Sequence, residues 1–173
     1  MLVHDERVAE LAADAGVRFV LNLAPPAPVG ATTLLTADPL VVNEHEARAV
    51  GIGTDAAGTS LDAWRELAAS AVGRIARSVV VTLGSAGAVA ASAEGTWTAP
   101  TPRVDAVDTT GAGDGFTGAL AAFLAEGRPL EEALRFAVAA GALAVQARGT
   151  VDSYASRDAV LRLAGLEEGP GTA

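Results

Sequence analysis

The sequence predicts an α/β protein of three layers, a mostly parallel sheet with helices on both faces. Short apolar runs rich in valine alternate with longer stretches of helical periodicity, the order expected when strands return through crossover helices. Half of the residues are hydrophobic but only 4% are aromatic, so the core must be built from Ala, Val and Leu. At 173 residues the chain can form one domain with a substantial core but not two comfortable ones.

The elements follow in order. Glu6 to Ala15 reads as a helix, with Val8, Leu11 and Ala12 at helical spacing and Gly16 as a stop. Val17 to Leu23 reads as a buried strand, and Pro25, Pro26 and Pro28 then force a loop. Leu40 to Val42 is a strand leading into Asn43-Glu44-His45-Glu46 and a helix. Leu61 to Ala76 is a helix with Trp64, Leu67 and Ala71 on one side, and Ser78 to Thr82 is the clearest strand, ended by Leu83-Gly84. Ala88 to Ala91 and Thr96 to Ala99 form a hairpin around Glu94-Gly95. Small-residue helices follow over Gly115 to Ala125 and Leu130 to Val145, and Asp158 to Leu163 closes the fold. The domain is expected over residues 1–166, with 167–173 as a disordered tail.

Composition excludes several functions. The net charge is −9 with no basic cluster, so a phosphate-tracking nucleic-acid surface is not expected. All twelve basic residues are arginine, and without lysine neither a Walker-A loop nor Schiff-base catalysis is available. Without cysteine there are no disulfides or thiolate metal sites. No apolar run reaches about 18 residues, and Met1 to Arg7 lacks the pattern of a secretory signal, so the expected location is cytoplasmic. His4 and His45 are expected in solvent, and Trp64 and Trp97 in packing roles.

The segment richest in chemistry is Asp108-Thr-Thr-Gly-Ala-Gly-Asp114. Glycines at 111 and 113 let the backbone turn tightly and gather N–H groups at the start of a helix. Such a nest holds an anion, most naturally a phosphate. A carboxylate at its mouth repels phosphate unless it has its own task, such as taking a proton from an attacking hydroxyl. The simpler alternative, Asp114 as an N-cap beside an ordinary turn, stays open at this level. Gly113-x-Gly115-x-x-Gly118 also matches a dinucleotide-binding pattern. That pattern needs an acidic residue ending the next strand, whereas Glu131 and Glu132 open a helix.

Asp108 to Asp114, with Gly118-Ala119-Leu120 after it, resembles the C-terminal signature of the ribokinase-like (PfkB) sugar kinases. Asn43-Glu44-His45-Glu46 is similar to that family's N-x-x-E motif, and Val81 to Gly87 to its nucleotide-binding strand and loop. The likeness runs from about Val17 to Leu163. It implies ATP-dependent phosphoryl transfer to a hydroxyl of a sugar or nucleoside, with Asp114 as the base and the amides of Gly111, Ala112 and Gly113 as the anion hole. Thr82, Gly84 and Gly87 would line the ATP site, and Asn43 with Glu46 would organise Mg²⁺ and the phosphates through water. A local alternative for that pair is a helix cap, Asn43 with Glu46 three residues on. The resemblance also implies a monovalent cation such as K⁺ on Asp108, the carbonyls of Thr110, Ala144 and Gly149, and the Ser153 hydroxyl.

Nothing before Asn43 resembles the family's sugar-binding region, and the small β-sheet lid is missing. The expectation is a truncated or split kinase, whose partner is a missing N-terminal half or a second copy. The competing expectation is a catalytically inactive nucleotide-binding or partner-binding fragment.

Overall fold

The computed structural model describes residues 2–53 and 60–165, so the tail expected at 167–173 lies outside the described residues. The chain divides into two compact units, Met1–Thr98 and Ala99–Ala173.

The first unit is built on a five-stranded sheet in the order β1-β2-β3-β4-β5: β1 Leu21–Asn22, β2 Leu40–Asn43, β3 Val79–Thr82, β4 Ala88–Ser92 and β5 Gly95–Ala99. β1, β2 and β3 run parallel, and β4 returns antiparallel to β3. The mostly parallel sheet and the β4–β5 hairpin match the sequence reading. Helices α1 (Leu2–Asp14), α2 (Ala31–Thr36), α3 (Glu44–Ala49) and α4 (Leu61–Ala71) complete the unit.

Strand alternation sorts the side chains. Leu40, Val42, Val79, Val81, Val89 and Ala91 share one face and form a core with Trp64, Ala68 and Ala71 of α4 and with Ile52 and Ile75. Trp64 is fully buried, as expected, with the Arg48 guanidinium 5.2 Å from its ring centroid. The other face carries Asn22, Val41, Asn43, Val80, Thr82, Ala88 and Ala90 by register.

The strand expected over 17–23 shrinks to two residues. In a regular parallel ladder the N–H of residue 39 would bond the Phe19 carbonyl, but Pro39 has no N–H. Asp38 N–H takes that carbonyl at 2.7 Å instead, and regular pairing starts at Leu21, whose N–H donates to the Pro39 carbonyl. The helix expected to reach Ala76 stops at Ala71, where Gly73 turns the chain at φ 73° and the N–H groups of Ile75 and Ala76 converge on the Ala71 carbonyl. Helix α2 escaped the sequence reading. Its six residues follow a proline cluster and include three threonines, and Thr36 Oγ1 bonds back to the Thr32 carbonyl at 2.8 Å.

The second unit is helical: α5 (Ala112–Ala125), α6 (Leu130–Ala144) and α7 (Arg157–Leu163). α5 and α6 pack along their lengths through Ala, Leu and Gly, with the Phe123 and Phe136 ring centroids 4.1 Å apart. No helix among the described residues is long and apolar enough to cross a membrane.

Candidate active site

In the first unit the polar positions collect at the carboxyl ends of the parallel strands, where open α/β sheets bind ligands. Asn43 ends β2 and Thr82 ends β3, and the two are register partners. Asn22 ends β1 on the same face, a polar residue in an apolar run that the sequence reading passed over. The Asn43 side chain accepts the Glu46 N–H at 2.9 Å, and the Asn43 N–H donates to Glu46 Oε2 at 2.8 Å. The local alternative is therefore present as a complete capping box that starts α3 and holds Glu46 buried. Past Thr82 the chain reverses through Gly84 (φ 54°) and Gly87 (φ 116°), closed by Leu83 N–H to the Gly87 carbonyl at 2.8 Å. Both glycines hold backbone angles that side chains resist. His45 is exposed, as expected.

In the second unit Asp108 is a clamp. Oδ1 accepts the Thr110 N–H at 2.9 Å, and Oδ2 accepts the Gly149 N–H at 3.3 Å. The Thr110 backbone N–H, then the Thr110 hydroxyl, then the Gly149 N–H hold this carboxyl below its ordinary value of 3.8. The Val107 and Asp108 N–H groups reach the Val145 carbonyl at 2.7 and 3.1 Å, and the Ser153 hydroxyl donates to the Thr150 carbonyl at 2.6 Å. The turn at 108–111 thus meets the segment 145–153, which brings Asp108, Thr110 and Gly149 together and draws in the neighbourhood of Ala144 and Ser153.

Helix α5 begins earlier than expected. Gly111 is its N-cap at φ 78°, and a Cβ there would sit 3.3 Å from Thr150 Cα. Asp114 is therefore the third helical residue, not the N-cap of the simpler reading. Of the amides expected to face an anion, Ala112's is engaged with the Thr109 carbonyl at 3.3 Å, because the left-handed Gly111 closes a turn there. Those of Gly111 and Gly113, and the neighbouring Asp114 amide that was not among the expected ones, make no hydrogen bond among the described residues. Open donors at a helix N-terminus and an exposed carboxylate thus lie side by side. Asp114 also lines a cavity of about 320 Å³ bounded by Gly118 and Ala122 of α5, by Tyr154, and by an ion pair of Arg157 and Glu126 (3.0 Å).

This order of polar strand end, glycine turn and helix-N-terminal nest agrees with a family model described as pfkB family carbohydrate kinase, which matches residues 3–157. The chain belongs to that family. The pfkB-family chain is 36% identical over 154 residues to the ribokinase of Schizosaccharomyces pombe, covering 87% of this chain and 48% of that protein. Its fold is similar to the structure of Arabidopsis thaliana ribokinase complexed with ribose and ATP (TM-score 0.81, 33% identity, 94% of this chain and 52% of that one). It is also similar to phosphofructokinase-2 from Escherichia coli in complex with potassium (TM-score 0.75, 27% identity, 95% and 52%). This pfkB-family chain spans about half the length of these relatives.

Proposed function

We propose that this chain carries the phosphoryl-transfer machinery of an ATP-dependent carbohydrate kinase, acting on a hydroxyl of a sugar or related small molecule. The observation that carries the reading is the start of α5, where open amides stand beside the exposed Asp114 carboxylate. The acceptor oxygen attacks the γ-phosphorus as the bond to the β-phosphate oxygen breaks. The acceptor proton passes to Asp114, and ADP leaves. Phosphoryl transfer asks a protein mainly to position its reactants and neutralise charge, so the open amides of Gly111, Gly113 and Asp114 and one carboxylate suffice. Asn43, Thr82, Gly84 and Gly87 hold the nucleotide at the strand ends, a role supported by the ATP bound to the Arabidopsis ribokinase. A cytoplasmic site of action goes with this reading.

Two ions fit the residues differently. Glu46 gives one oxygen to the Asn43 N–H, and one carboxylate cannot hold Mg²⁺ alone, so it suits contact through the ion's water shell. Bound Mg²⁺ would supply charge neutralisation on the phosphates. Asp108, Thr110, Ala144, Gly149 and Ser153 offer only oxygens, and Ser153 gives its proton to Thr150, leaving its lone pairs open. That set suits K⁺, the ion in the Escherichia coli phosphofructokinase-2 structure.

The test is phosphate transfer from MgATP to D-ribose by the purified chain in potassium buffer. The expected outcome is ribose phosphate and ADP, with Asp114→Asn slower by about 10²–10⁴-fold. An Asp114→Asn chain of undiminished rate would overturn the mechanism. The span of about half the relatives' length favours a second reading, a nucleotide-binding element without turnover. One-to-one calorimetric binding of ATP with no transfer to any sugar would decide for it.

A further inference from the structure

We infer that Tyr154 is a specificity-determining residue, a platform against which the acceptor's C–H face packs while its hydroxyl meets Asp114. The inference rests on the kinase reading above. Tyr154 and Asp114 line the same cavity of about 320 Å³, a volume with room for a monosaccharide. A Cβ at Gly115, the residue after Asp114, would lie 3.4 Å from Tyr154 Cδ1 and Cε1, so the glycine lets the ring stand directly beside the carboxylate's stretch of α5.

The backbone that carries the ring is also anchored on its own side. The Tyr154 N–H donates to the Val151 carbonyl at 3.3 Å, and the preceding Ser153 is buried with its hydroxyl on Thr150. Despite this anchorage the residue is 42% exposed. An aromatic ring at a cavity wall and left partly in water offers apolar area that a ligand can cover. The other walls near Asp114 are Gly115, Gly118 and Ala119, which add little contact of their own. At the far end Arg157 and Glu126 satisfy each other through paired contacts of 3.0 and 3.4 Å. A sugar ring has apolar C–H faces between its hydroxyls, and Tyr154 is the broad apolar surface within this cavity near Asp114 that matches one.

Tyr154 is the chain's single tyrosine, so isotope-labelled tyrosine gives one ring signal in an NMR titration. D-ribose is expected to move that signal saturably, and glycerol is not. Tyr154→Ala is expected to raise the acceptor KM by about 2–10-fold, more than it lowers kcat, and Tyr154→Phe to restore it. Absence of a saturable shift overturns the platform, whatever the activity, and so does an equal response to glycerol. Phosphate transfer without the shift would overturn the platform and spare the kinase reading. A shift without transfer would do the reverse.

Discussion

The candidate nucleotide-site residues of the first unit and the candidate base and anion hole of the second are held in opposite ways. In Met1–Thr98 they are structural parts as well: Asn43 and Glu46 form the capping box of α3, and Thr82 is the last rung between β2 and β3. In Ala99–Ala173 the Asp114 carboxylate is exposed and the Gly113 and Asp114 amides are open, and the clamping is done a few residues away by Asp108. A substitution in the first group that removes these contacts therefore acts on stability and function together, whereas one at Asp114 should touch function alone. Capping and burial satisfy polar groups; a group that must meet a ligand has to be left unsatisfied until the ligand arrives.

The sharpest break of this contrast is Asp114→Asn. Alongside the loss of transfer by about 10²–10⁴-fold, its unfolding free energy should stay within about 0.5 kcal/mol of the parent, as for exposed positions generally. Urea unfolding with kinetics on the same sample checks both halves. At the other extreme Trp64→Ala, at a fully buried position of the first unit, should cost about 3–5 kcal/mol in urea unfolding. Glu46 lies between. Glu46→Ala should cost about 1 kcal/mol through the lost cap, while Glu46→Gln keeps the box and stays within about 0.5 kcal/mol. If Glu46→Gln folds normally yet binds MgATP as well as the parent by calorimetry, the carboxylate's charge is not used and its role is the cap alone.

The smallest effect is expected at Asp108. Its carboxyl is held below the ordinary value when folded, so its clamp stabilises the fold fully above the unfolded carboxylate pKa of about 3.9. That contribution is lost as pH falls through the lower folded value. The Thr110 and Gly149 amide signals should therefore move only as pH falls from about 4 downward, and Asp108→Asn should abolish the movement. Movement at higher pH would show that the clamp does not hold.

Local rules decided much of this protein in advance. Valine-rich runs specify strands, and alternation with helices specifies a mostly parallel sheet. Asn43 followed three residues on by Glu46 is legible as a cap, and Asp108 to Asp114 as a turn feeding a helix. These are short-range matters, set by backbone sterics and by neighbours within a few residues. Partners distant in sequence decided the rest. The first strand shrank because Pro39, just before the strand it pairs with, lacks a donor for Phe19. Asp108 found Gly149 forty-one residues away, and Tyr154 came to rest beside Gly115. Such contacts depend on which segments packing brings together, and a polar or aromatic residue in a loop carries no mark of its eventual neighbour. The sequence alone therefore determined the valine-rich strands, the cap and the turn that feeds α5. Only the tertiary structure decided which amides stay open, what clamps the turn and what walls the cavity beside Asp114.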